Sequence, residues 1–387
     1  MKICLQPTLL RWARERAGLS VDGLSKKMSV KPERVIGWEN NGELTFKQAQ
    51  KLANVTHTPF GYLYLPEPPQ ETLAIPDFRT LRNEEMRQPS SDLIDILDQA
   101  QQIQSWFRDE LMARGAAPLP FVGSLSQDTP IEAAAERIRD VIDFEVSRDA
   151  RTWEDALKQQ TEQIEANGVL VMRNGVVGLN NHRKLTVDEF RGFALTDNYA
   201  PLIFINSSDS KGAQMFTLAH ELVHIWVGVS GVSNFEKTYA GHDDVERFCN
   251  QVAAELLVPS AELRAAWAEA ESQEDWLRSL TQRFKVSTLV VLRRLNDREL
   301  ISDSTFQQRY QAEQERFQAS ASEKTGGGDF YRTQMSRFSN QFLTALVEST
   351  LEGRTPYRDA LRLLKLSKVE TFKQLAQELS VSIQSAN

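Results

Sequence analysis

Residues 207–228 of the chain read SSDSKGAQMFTLAHELVHIWVG. This stretch follows short apolar runs that read as strands and returns the chain to a helix, with Ser208 or Asp209 available as its cap. Within it lies HELVH, 220–224. Residues four apart stack on one helix face, so His220 and His224 present two imidazoles to a common point. Glu221 is rotated from His220 by about 100°, yet it can lean over the same edge to orient and deprotonate a water. Met215, Phe216, Leu218, Ala219, Leu222, Val223, Ile225, Trp226 and Val227 surround the motif with apolar side chains, as in a buried helix. Two histidines on so apolar a helix are costly without a partner, and a shared metal ion is the natural one.

Zinc in such a setting takes three protein ligands and keeps one position open. The segment VERFCNQVAAELLVP, 245–259, offers the third. Glu246 lies 22 residues after His224, at the head of an amphipathic helix whose Phe248, Val252, Ala253 and Leu256 point inward. Asn250 falls on the same face as Glu246 and is the candidate to orient a ligand from behind. Glu255, Asp243, Asp244 and His242 are the rival ligands. In NFEKTYAGHDD, 234–244, His242 or Tyr239 is a candidate to stabilise an oxyanion, the alternative being that both sit on a solvated loop. The expected cofactor is Zn2+.

Length and composition frame this site. The 387 residues predict two or three domains, and 41% hydrophobic with 25% charged residues is ordinary for a soluble protein. No apolar run reaches the ~18 residues of a membrane span, so no membrane association is expected. The two cysteines, Cys4 and Cys249, form no paired motif, which suits a reducing cytoplasm. Charge is uneven. Residues 1–65 hold ten Lys and Arg against five Asp and Glu, net +5, whereas the rest holds 35 against 48, net −13. Any nucleic-acid contact is therefore expected at the N-terminus.

That head reads as four or five short helices. Gly18 stops the first, Ser20 caps the second, Pro32 opens the third, Asn41-Gly42 closes it, and Thr45 caps the fourth. LSVDGLSKKMSVKPERVIGWENNGELTFKQAQKLA, 19–53, resembles the five-helix repressor-type helix-turn-helix of the XRE family. The resemblance makes the third helix the recognition helix, with Lys31, Glu33 and Arg34 as DNA-binding candidates and Trp38 in the core. Val21 stands where Gln is usual, and Glu33 and Glu39 are expected on the surface that would face phosphates. A fold retained for protein contacts is the other reading.

FTLAHELVH, 216–224, followed by ERFCNQVAAELLVP, 246–259, resembles the ImmA/IrrE family of metallopeptidases. Val223 replaces the usual Gly, Met215 the usual Arg, and Val258 stands for Met. The resemblance runs from the strands near 168 to RFKVSTLVVLRRL, 283–295. It implies zinc on His220, His224 and Glu246 and a catalytic base at Glu221. SLTQRFKVSTLVVLRRLNDREL, 279–300, has a helix-turn-helix pattern; the resemblance implies that it packs beside the peptidase, the alternative being nucleic-acid contact through Arg293, Arg294 and Arg298.

The expected fold is mainly α, α+β: a five-helix domain over 1–65, a linker over 66–76, and a zincin-like core with a small sheet and the HExxH helix over 77–260. A trihelical unit over 261–316, a hinge over 317–329 and a helical docking tail over 330–387 complete it. The tail resembles that of XRE–ImmA/IrrE fusions. The expected function is a zinc endopeptidase coupled to a DNA-binding regulator, acting on a repressor or toxin in stress or phage defence. An antitoxin-like autoregulator that binds operator DNA and neutralises a co-encoded toxin is the alternative, as is a scaffold with structural zinc. A homodimer is compatible with either.

Overall fold

The computed structural model describes residues 2–69, 75–76, 89–144, 150–233, 244–320 and 335–386. Two compact units emerge, 1–74 with 85–97, and 75–84 with 98–387.

In the first unit, β1 (Lys2–Cys4) precedes α1 (Pro7–Arg16), α2 (Val21–Met28) and α3 (Pro32–Asn41). β2 (Glu43–Thr45), α4 (Phe46–Val55) and a short 3-10 turn, Phe60–Tyr64, follow. The expected fifth helix is thus this five-residue turn. Start and stop chemistry explains the short helices. The Ser20 hydroxyl accepts the Gly23 amide at 3.0 Å, and Thr45 and Gln48 form a reciprocal capping box. Gly42 ends α3 at φ +71°, where a Cβ would lie 1.9 Å from the Leu5 carbonyl oxygen. That carbonyl belongs to the turn leading out of β1, which pairs antiparallel with β2 through Ile3 opposite Leu44. Leu10, Leu24, Val35, Trp38, Leu44 and Leu52 fill the core between these elements.

The second unit takes in α5 (Ser91–Ala113) from residue 98 on, α6 (Ile131–Ile142) and α7 (Trp153–Ala166). Strands β3 (Leu170–Asn174), β4 (Val176–Val177), β5 (Asn180–Lys184), β6 (Gly192–Leu195) and β7 (Leu202–Asn206) lead to α8 (Lys211–Val227) and β8 (Gly231–Ser233). After them come α9 (Asp244–Leu257), α10 (Ser260–Ala270), α11 (Trp276–Phe284), α12 (Thr288–Asp297) and α13 (Asp303–Ser320). The chain ends in α14 (Asn340–Leu351), α15 (Tyr357–Leu363) and α16 (Val369–Ala386). One sheet has the order β3-β7-β6-β8, with β3 and β7 parallel and the other pairs antiparallel, and β4-β5 is a separate hairpin. The whole of β7, LIFIN, is buried, as a continuous apolar run in a covered strand should be.

Ser210 caps α8, its hydroxyl accepting the Ala213 amide at 3.3 Å, in place of the expected Ser208 or Asp209. Those two are otherwise engaged. Asp209 is ion-paired to Arg191, and the Ser208 amide is held by Asn206 Oδ1 at 3.1 Å. The strand β8, after α8, was not foreseen, since three residues carry too little alternation to read.

The C-terminal helices pack onto this body. Trp106 of α5 meets Phe342 edge-on with centroids 5.7 Å apart, and its indole N–H donates to Thr355 Oγ1 at 3.2 Å. On β3, the Arg173 amide donates to the Arg337 carbonyl at 3.0 Å. Glu165, at the end of α7, is buried beside Ser339 and the Asn340 and Val171 amides. Burial pushes its carboxyl up to about 7, with those neighbours opposing. The folded state then keeps a proton that the unfolded chain loses near the ordinary carboxyl value of 4.5. Stability therefore falls as pH rises from that value to about 7 and levels off above it, by up to ~3 kcal/mol. Urea midpoints across this range should show the slope, and Glu165→Gln should flatten it. A wild-type midpoint rising between pH 5 and 7 would contradict the assignment.

Candidate metal centre and nucleic-acid interface

α8 and α9 pack against each other and bring three side chains to one point. His224 Nε2 lies 2.9 Å from His220 Nε2 and 2.9 Å from Glu246 Oε1, and His220 Nε2 lies 3.4 Å from Glu246 Oε2. All three side chains are fully buried. Donor atoms around a tetrahedral zinc stand about 3.3 Å apart, given bonds of ~2.0–2.2 Å. The spacing and the chemistry of the set, two imidazoles and a carboxylate, fit such an ion.

Protonation points the same way. Burial pushes His220 down, against the opposing pull of Glu246, which favours the neutral imidazole a metal requires. Burial would push Glu246 up, but the charges and hydrogen bonds of His220 and His224 outweigh it and hold the carboxyl well below the usual range. Glu221 behaves differently. Burial, then the charge of Glu246, push its carboxyl well above the ordinary value, while the Ser233 hydroxyl works in the opposite sense. Neither carboxyl oxygen of Glu221 makes a direct hydrogen bond of good geometry, Ser233 being its polar neighbour, and Asn250, four residues after Glu246, is buried against His220. A buried carboxyl so placed is rare in folded proteins unless something else meets it.

Two further residues shape the site. On β6, next to α8, a Cβ on Gly192 would stand 2.5 Å from Thr217 Cγ2, 2.9 Å from the Phe204 carbonyl oxygen and 3.1 Å from Glu221 Oε1. Only a glycine leaves that carboxyl its place. Ser233, on β8, is buried beside it. The outward amide of Val232 donates to the Pro76 carbonyl at 3.1 Å. Neither Gly192 nor Ser233 belongs to a recognisable motif, so sequence reading missed them.

The rival ligands separate. Glu255 accepts the Ser260 amide at 2.9 Å, pairs with Arg294, and lies 3.0 Å from Arg298. It serves as the cap of α10 and not as part of the cluster. Asp244 is exposed at the head of α9, while Asp243, His242 and Tyr239 lie outside the described residues. Arg294 is buried against Glu255, Arg298 also bonds Glu132, and Arg293 sits by Asp297. Arg294 and Arg298 tie α12 to the body, whereas the Arg293 pair lies within the helix. Cys249 is buried.

In the first unit, Lys31, Glu33 and Arg34 are exposed at the head of α3 and Trp38 is buried. Glu39 corrects the expectation. It is 8% exposed and takes a two-pronged ion pair from Arg14, Nε at 2.6 Å and Nη2 at 3.0 Å, so it does not face a phosphate. Its neighbour Trp38 turns that side of α3 inward.

Comparison with known families matches three stretches of the chain. Residues 10–63 match the helix-turn-helix family, 164–296 the IrrE N-terminal-like domain (peptidase family M78), and 338–378 a domain of unknown function (DUF8813). No curated protein matches the chain. Among the described residues no helix is long and apolar enough to cross a membrane. The chain joins a helix-turn-helix DNA-binding domain to an IrrE N-terminal-like domain of the metallopeptidase type, the arrangement of XRE–ImmA/IrrE fusions.

Proposed function

We propose that this chain is a zinc-dependent endopeptidase coupled to a DNA-binding regulator, which cuts or controls a protein partner such as a repressor or toxin. The convergence of His220, His224 and Glu246 beside the buried Glu221 carries the proposal. Those three residues would hold the ion, and Asn250 would orient His220 from the next turn of α9. Zinc bound there supplies Lewis acidity, which acidifies water and polarises a peptide carbonyl. Glu221 takes the proton of the attacking water on a carboxylate oxygen and returns it to the leaving amine. Gly192 leaves room for that carboxylate, and the apolar walls of α8 keep other water away. Replacing Gly192 by Ala displaces Thr217 or Glu221 and should lower cleavage by ~10²-fold, with metal content unchanged. Equal rates would show that Gly192 does not set the base.

Full burial of all four site side chains favours a second reading, in which the body holds a toxin by binding and cuts little. Co-purification from the native host, with and without a chelator, separates the two. Peptidase action predicts a partner that is cut without chelator and intact with it. A partner intact in both cases leaves the antitoxin-like reading.

A further inference from the structure

The four-stranded sheet has two edges, β3 and β8, and other segments of the chain bond to both by different means. At β3 the Arg173 amide donates to the Arg337 carbonyl at 3.0 Å, and Arg337 Nη1 donates to the Gly178 carbonyl at 3.3 Å. The next two residues, Phe338 and Ser339, are buried, so that cover is anchored. At β8 the cover is Ile75–Pro76, the end of the expected linker. Pro76 is exposed and Ile75 half-buried. Among the described residues one bond, from the Val232 amide at 3.1 Å, ties the pair to the strand.

That bond is half of what the edge offers. The Ser233 carbonyl turns toward β6, where it accepts the Arg191 amide at 3.1 Å. Val232, one residue earlier, therefore turns its N–H and C=O to the open side. Two residues in a hydrogen-bonded antiparallel pair exchange both bonds. Pro76 has no N–H to return. Any other residue in its place could make the second bond. The strip also lies beside the site, since Ser233 pairs with Gly192 and is buried next to Glu221.

We infer that Ile75–Pro76 is a displaceable occupant of the β8 edge, by which the chain covers with its own backbone the strip that would lead an extended protein segment to Glu221. The inference rests on the peptidase reading and adds a self-inhibitory contact to it. An edge strand with open N–H and C=O groups pairs with extended backbone of almost any sequence. A segment of the same chain competes for it at roughly millimolar effective concentration. Proline makes this competitor weaker by one bond, so a partner that forms both displaces it.

The test uses the full-length chain and two labelled synthetic peptides, one with the sequence of residues 71–80, ETLAIPDFRT, and one with alanine in place of its proline. Ile75→Gly combined with Pro76→Gly should bind the alanine peptide at least about tenfold more tightly than wild type does. It should prefer the alanine peptide to the proline peptide about fivefold, the effect of one net hydrogen bond. The Val232 amide should exchange with deuterium at least about fivefold faster in this variant, while the amides of β7, inside the sheet, keep their wild-type rates. Equal affinity of the two chains, equal affinity of the two peptides, or an unchanged Val232 amide overturns the inference. Hydrolysis is read separately, on a quenched-fluorescent pool of random decapeptides, and should be at least about tenfold faster in the variant. Equal, measurable rates in the two chains also overturn it. Tighter peptide binding with no hydrolysis by either chain upholds the occupied edge and sinks the peptidase reading instead.

Discussion

Replacing Glu221 by Gln should abolish partner cleavage, by ~10²–10⁴-fold, with bound metal unchanged. The side chain is fully buried and its two carboxyl oxygens make no direct hydrogen bond of good geometry. Glutamine keeps the shape and volume, so the packing of α8 against β6 survives. It removes the capacity to take a proton, and that is the whole of the difference expected. His220, His224 and Glu246 are untouched, and their mutual distances do not depend on Glu221. Cleavage time courses with matched metal analysis would check this. Persistent cleavage would assign the base elsewhere, and loss of metal with loss of cleavage would make Glu221 part of the binding set.

Breaking the Arg294–Glu255 pair should destabilise the second unit strongly. Arg294 is 3% exposed and Glu255 4%. Besides the carboxylate, Arg294 serves the Val258 carbonyl through Nε at 3.1 Å and Nη2 at 2.9 Å, at the C-terminal end of α9. Removing one partner of a buried pair costs ~3–5 kcal/mol, because the charge left behind has lost its compensation. Arg298, 3.0 Å from Glu255, softens the loss, so Arg294→Met should cost about 3 kcal/mol in urea unfolding. Arg294→Met combined with Glu255→Leu should recover much of it, since neither charge is then stranded. A loss below ~1 kcal/mol in the single variant would class the pair with surface bridges. α9 also carries Glu246 nine residues earlier, so the anchoring of its far end bears on the site as well as on stability.

The convergence of His220, His224 and Glu246 was legible because its geometry is local. An i, i+4 histidine pair on an apolar helix specifies its own arrangement, and Glu246 sits in an amphipathic helix with a clear inward face. Caps at Ser20 and Thr45 were similarly readable, since each bonds an amide three residues away. What depends on contacts distant in sequence was not. Gly192 matters through Thr217, Phe204 and Glu221, and nothing in GFAL announces it. Glu39 looked exposed from its charge, yet Arg14, 25 residues earlier, carries it into the core of the first unit. Arg294 and Arg298 suggested nucleic acid by their charge, yet Glu255 and Glu132 hold them. Charge composition alone cannot tell a buried network from a basic face.

Metal content of the purified full-length chain bears on all of this. Elemental analysis should return about one zinc per chain in wild type and a large loss in both His220→Ala and Glu246→Ala, with the fold retained. Less than about half an ion per wild-type molecule, or a Glu246→Ala chain that keeps its zinc, would contradict a centre built on α8 and α9.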